Sequence, residues 1–151
     1  MEFKRLSDKF SVSASTITHS PVEIAQFGFK SVIDMLADGR NPNNAAFALR
    51  HAGISYCVIH ADQDITRSLI NRFRNALRGC EPPTLAVSKF AVLPAKLWAF
   101  YESEYEEPDR ILEALAKAGI DIDDADNFYR ELVHYRNEAL TLAALNAAIS
   151  F

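Results

Sequence analysis

Residues 53–88 read GISYCVIHADQDITRSLINRFRNALRGCEPPTLAVS, and this stretch decides the fold. Ser55 to His60 and Pro83 to Ser88 are short apolar runs rich in β-branched residues, the signature of strands. Between them Thr66 to Leu77 has helical periodicity and meets Gly79, a helix-stopping residue. Strand, helix, strand at this spacing is a βα unit whose strands lie parallel.

The same rhythm extends toward the N-terminus. Further strands are expected near Phe10 to Ala14 and over Ser31 to Leu36. The last three of the four strands are apolar enough to predict central positions, covered on both faces. Pro21 to Phe27 reads as a short helix with Ser20 as its cap and Gly28 as its stop, and a second helix runs from Asn43 or Asn44 to His51, ending at Gly53. Beyond the fourth strand a helix is expected from Pro94, with Leu97, Trp98 and Tyr101 on its apolar side, ending in the acidic run Glu102 to Glu107.

From Pro108 onward strand signals stop. Ile111, Leu112, Leu115 and Ala118 form one helical stripe, closed by Gly119. Asp123 or Asp124 can cap a last helix toward Ile149, along which Phe128, Leu132, Tyr135, Ala139, Leu142 and Leu145 or Asn146 make a continuous apolar side. That side is expected to pack on its own domain or to join two copies of the chain. The predicted class is α/β: a mainly parallel sheet of four or five strands flanked by helices, with an added C-terminal helix. Residues 1–122 are expected to form the α/β domain and 123–151 the helical extension.

Composition narrows the partners. The chain has 151 residues, 49% of them hydrophobic, enough for one sizeable core, and its formal charge of −4 offers no basic field for nucleic acid or an anionic membrane. The charged N-terminus and the lack of any apolar run of membrane-spanning length predict a cytoplasmic, unexported protein. Its two cysteines, Cys57 and Cys80, form neither a disulfide framework nor a zinc motif. No cofactor and no resident metal are expected.

In order, the segments FSVSASTITHSPVEIAQFGFKSVIDMLADGR, HAGISYCVIHADQDIT, TLAVSKFAVLPAKLWAFY and EPDRILEALAKAGIDI resemble a bacterial family of beta-lactamase-hydrolase-like, phosphatase-like proteins within the protein tyrosine phosphatase superfamily. Gly28-Phe29-Lys30-Ser31-Val32-Ile33, Asp38-Gly39 and the strand-loop-helix from Leu85 to Trp98 carry most of the likeness, which spans residues 3 to 122. The resemblance implies a phosphate loop of form C-x-S-G-x-R-S. There a thiolate is the nucleophile, and the arginine lowers its pKa and clamps two phosphate oxygens.

This chain departs from that pattern in its chemistry. The corresponding stretch is Ser88-Lys89-Phe90-Ala91-Val92-Leu93-Pro94, with Ser88 in place of the cysteine, Ala91 of the glycine and Leu93 of the arginine. Leu36 also stands where the family commonly has an arginine before its D-G pair. A serine hydroxyl without an adjacent base is a poor nucleophile at neutral pH, and Leu93 cannot clamp an anion. Ser88, Lys89, Phe90, Ala91, Val92 and Leu93 are therefore the candidate ligand-binding loop. Lys89 is its one candidate for an anion contact, and Phe90 is a candidate plug for the old pocket.

Neither cysteine begins a loop ending in arginine. Cys57 reads as a buried strand residue and Cys80 as an exposed loop thiol, both inert. The remaining cluster with chemical potential is His60, Asp62 and Asp64, just past a strand end where the superfamily's acid-base aspartate can lie. A carboxylate there could serve as general acid, and the three together could hold a divalent ion. The plainer reading makes Asp62 or Asp64 the cap of the following helix.

The expectation is thus a catalytically impaired phosphatase-like protein that binds or regulates, with a protein or a small anion as its partner and a homodimer through the C-terminal helix as one assembly. The alternative is a hydrolase of atypical mechanism using His60, Asp62 or Asp64.

Overall fold

The computed structural model describes residues 1–14, 20–36, 43–61 and 64–149. Five strands form one sheet: β1 (Lys4–Ser7), β2 (Phe10–Ser13), β3 (Ser31–Leu36), β4 (Ser55–His60) and β5 (Thr84–Val87). Their order is β1-β2-β5-β3-β4, with β2, β5, β3 and β4 mutually parallel and β1 antiparallel to β2. Six helices complete the chain: α1 (Pro21–Gln26), α2 (Asn43–His51), α3 (Arg67–Gly79), α4 (Val92–Glu102), α5 (Pro108–Lys117) and α6 (Ala125–Ile149).

Side-chain alternation along the strands builds two cores. Val32, Leu85 and Val87 face one side and pack with Ile24 of α1 and Leu49 of α2. Val12, Ile33, Met35 and Ala86 face the other side, meeting Leu69, Ile70 and Phe73 of α3 and Leu97 and Trp98 of α4. Ile111 and Leu115 of α5 and Phe128, Leu132 and Tyr135 of α6 extend this second core outward.

Most expected stops hold for a local reason. Gly53 (φ +81) and Gly119 (φ +76) adopt the left-handed conformation, and the next amides reach back, Ile54 to the Leu49 carbonyl (2.9 Å) and Ile120 to the Leu115 carbonyl (3.0 Å). Asp124 caps α6 through the Asn127 amide (3.3 Å).

Four expectations need correction. β1 was not anticipated, because Lys4 and Arg5 are exposed and break the apolar alternation of an edge strand. β4 is the other edge, not a central strand, and its middle residues are only partly buried, Cys57 among them. Helix α4 starts at Val92, two residues before Pro94, so Pro94 occupies its first turn and not its first position. Ser20 stands at the cap of α1 but its hydroxyl makes no capping bond. The apolar side of α6 is half covered within the chain: Phe128, Leu132 and Tyr135 are buried, whereas Leu142, Leu145 and Ile149 are exposed. Sequence period fixes which side is apolar; how far the neighbouring helices reach fixes how much of it is buried.

Candidate functional site

The loop from Ser88 to Ala91 leaves the C-terminal end of β5 and enters α4. Its first residue is anchored: the Ser88 amide donates to the Ser13 carbonyl (3.2 Å) and the side chain is buried. The Ser88 hydroxyl accepts from the Phe90 amide at 3.4 Å, a long bond that turns the loop back on itself. The Leu93 amide donates to the Phe90 carbonyl (3.3 Å) and the Ala95 amide to the Ala91 carbonyl (3.2 Å). Two loop amides, those of Ser88 and Phe90, are thus already spent, and the loop carbonyls of Phe90 and Ala91 receive amides from the first turn of α4.

The side chains follow the same logic. Ala91, Val92 and Leu93 are half-buried and lean on the larger core, so the aliphatic chain of Leu93 is turned toward apolar neighbours. Phe90 is half-exposed, at 49%, so it does not plug the pocket as the sequence allowed. An aromatic ring costs little at a loop tip when a cation shields its face, and the Lys89 ammonium lies 5.6 Å from the Phe90 centroid.

Beside this loop opens a cleft of about 610 Å³, at the C-terminal edge of the parallel strands, where open α/β sheets usually bind ligands. Phe90, Val92, Leu93 and Phe128 supply its apolar wall. Among the described residues its charges are five carboxylates, Asp64, Asp121, Asp123, Asp124 and Glu131, against the single ammonium of Lys96. Lys96 is itself drawn over the Phe128 ring, 5.5 Å from its centroid. The Asp121 to Asp124 turn and Glu131 come from the α5–α6 connection and α6, which the sequence did not associate with the loop.

Two members of the expected acid-base cluster, His60 and Asp64, lie within the described residues. Asp64 is exposed and lines the cleft near Phe90 and Leu93. His60 is exposed at the end of β4, where its carbonyl accepts from the Arg72 guanidinium (3.0 Å), and its ring does not line the cleft. Asp62 lies outside the described residues, as do the Asp38-Gly39 pair and His19. The α3 cap is neither aspartate but Thr66, whose hydroxyl accepts from the Leu69 amide (3.1 Å). No grouping of three or more His, Cys, Asp or Glu side chains suited to a metal ion occurs among the described residues.

Burial pushes both thiols up from their ordinary value, Cys57 in the edge strand and Cys80 after α3, so neither is poised as a thiolate. Cys80 is half-buried, against the expectation that it is exposed. Sequence reading also passed over Asp34, which is 2% exposed on β3 and accepts a hydrogen bond from the Tyr56 hydroxyl (2.6 Å).

A parallel sheet flanked by helices, with a strand-loop-helix at its C-terminal edge, is the architecture of the protein tyrosine phosphatase-like enzymes. Residues 2–104 match the model of the "Beta-lactamase hydrolase-like protein, phosphatase-like domain", and the chain belongs to that family. Similar solved structures include a candidate phosphatase from Neisseria meningitidis Z2491, 22% identical over 88% of this chain and 97% of that one, with a TM-score of 0.66. PTPMT1 in complex with PI(5)P is 16% identical over 93% of this chain and 98% of that one (TM-score 0.66). A variant of P. aeruginosa TpbA in complex with pTyr is 17% identical over 91% and 90% (TM-score 0.65). No curated protein sequence matches the chain significantly. No helix among the described residues is long and apolar enough to cross a membrane.

Proposed function

We propose that this protein is a catalytically impaired member of its family, acting as a binding or regulatory module and not as a cysteine-dependent phosphatase. One observation carries the reading: the cleft beside the loop is walled by Leu93 and rimmed by five carboxylates against one lysine. That field repels a phosphate monoester, and losing the guanidinium's charged hydrogen bonds removes about 1.5–3 kcal/mol each. Phosphate should therefore bind at millimolar concentration or more weakly.

Hydrolysis of p-nitrophenyl phosphate tests the proposal, with phosphate titrated by NMR at low salt. The expected result is no turnover and only millimolar shifts. Robust hydrolysis abolished by Ser88→Ala, or micromolar phosphate affinity abolished by Lys89→Ala, would overturn it. The atypical hydrolase built on His60, Asp62 or Asp64 predicts activity that survives Ser88→Ala and is lost on His60→Ala.

A second reading concerns assembly and rests on α6. Its last three turns, residues 139–149, carry no charge, and Leu140, Leu142, Leu145 and Ile149 are exposed at 46–79%. An uncovered helix end of this length is marginal in water, and like apolar patches match across a two-fold axis. A homodimer through this segment is proposed, with light scattering as the test: Leu142→Glu with Leu145→Glu should give monomers, and a wild-type monomer at high concentration would refute it.

A further inference from the structure

A second cleft, of about 640 Å³, opens at the opposite, N-terminal edge of the sheet. It lies between the β1–β2 turn, the end of α3 and the last turns of α4. Its size falls in the range of small-molecule sites, about 300–1,000 Å³. The floor is packed core: Trp98 and Phe10, 3% and 2% exposed, stack with parallel rings whose centroids lie 6.2 Å apart. Tyr101 and Tyr105 form an aromatic wall, their centroids 5.6 Å apart.

Four charged residues line this aromatic slot, and two of them are already paired: Asp8 accepts from the Arg5 guanidinium (2.8 Å), and Arg78 is tied to its neighbours. Lys9 and Glu102 also line it, and neither side chain makes a hydrogen bond or ion pair with another described residue. They sense each other: burial and, after it, the Glu106 carboxylate draw the Glu102 pKa up, and Lys9 draws it down. Two opposite charges that face one cleft without closing on each other leave room for a ligand between them. Arg78, by contrast, is occupied, donating to the Tyr105 hydroxyl (3.0 Å) and lying 3.6 Å from Glu104, and so holds the wall in place.

We propose that this N-terminal-edge cleft binds a small zwitterion with a flat apolar body, of the aromatic amino acid class. The ring stacks against Tyr101 over the Trp98 floor, the carboxylate meets Lys9, and the ammonium meets Glu102. Both charges of the ligand are matched, whereas a simple anion or cation leaves one protein charge facing it unpaired. The site is separate from the phosphatase-like loop and does not depend on whether that loop is active.

Trp98 is the chain's only tryptophan, so its fluorescence reports on the cleft directly. The full chain is titrated with L-phenylalanine, with phenylacetate, which lacks the ammonium, and with phenethylamine, which lacks the carboxylate. The expected result is saturable change with L-phenylalanine at millimolar concentration or below, and about tenfold or greater weakening for each singly charged probe. Lys9→Ala should weaken L-phenylalanine and spare phenethylamine; Glu102→Gln should weaken L-phenylalanine and spare phenylacetate. Thermal melts of both variants verify that they fold, and neither side chain is a core residue. No saturable response, equal affinity for all three probes, or variants that bind like the wild type would each overturn the proposal.

Discussion

The two edges of the sheet carry clefts of nearly equal volume, about 610 and 640 Å³, built from opposite materials. At the C-terminal edge the walls are a turning loop and an inter-helix connection, and the charge is almost all of one sign. At the N-terminal edge the floor is the core itself, and acids and bases are balanced. The difference teaches that the edge where open α/β sheets usually bind ligands is here held mainly by backbone bonds, while side-chain organisation is concentrated at the other end.

The contrast is broken most forcefully at the floor. Trp98→Ala should cost about 3–5 kcal/mol in urea unfolding, because a buried aromatic stacked on Phe10 is removed from packed surroundings. A cost under 1 kcal/mol would mean that the N-terminal-edge cleft is not founded on the core. Next in size is the ion cluster under the Tyr105 wall. Glu104 is 9% exposed and lies 3.2 Å from Arg74 and 3.6 Å from Arg78, so Glu104→Ala leaves two guanidinium groups uncompensated and should cost about 2 kcal/mol.

At the other edge the effects should shrink. Ser88→Ala removes one long hydrogen bond to the Phe90 amide, and a loss of about 0.5–1 kcal/mol is expected from the same unfolding measurement. A loss above 2 kcal/mol would show that the loop is as firmly organised as the floor.

The smallest effect depends on pH. Burial raises the Glu102 pKa above its ordinary value, so the folded state holds that proton more tightly than the unfolded chain. The contribution is fully present below the unfolded carboxylate range, near pH 4.3, and is lost as pH rises through the raised folded value. Glu102→Gln should therefore gain stability relative to wild type at neutral pH and match it in acid. Thermal melts across that window check this; a variant less stable than wild type at pH 7 would show that the carboxylate is held by a partner.

Much of the fold was legible in residue order. Strands β2 to β5 and all six helices follow from apolar runs, helical stripes and the stops at Gly28, Gly53 and Gly119, since these are local properties of consecutive residues. The family was legible too, because its motif segments sit at fixed spacing along β3 and from β5 into α4.

Tertiary structure decided what depends on neighbours distant in sequence. Ser55 to His60 reads the same whether central or edge, and only the pairing order made β4 an edge. Thr66 outcompeted Asp64 for the α3 cap because the chain direction there placed its hydroxyl, and not a carboxylate, against the Leu69 amide. The depth to which α6 is buried was set by packing and by ties such as Arg136 to the Ser103 and Glu106 carbonyls (2.9 and 3.0 Å). Both clefts are likewise invisible in sequence. Asp64 and Glu131 line one cleft, and Lys9 and Glu102 the other, only because parallel strands and returning helices carry residues far apart in the chain to the same sheet edge.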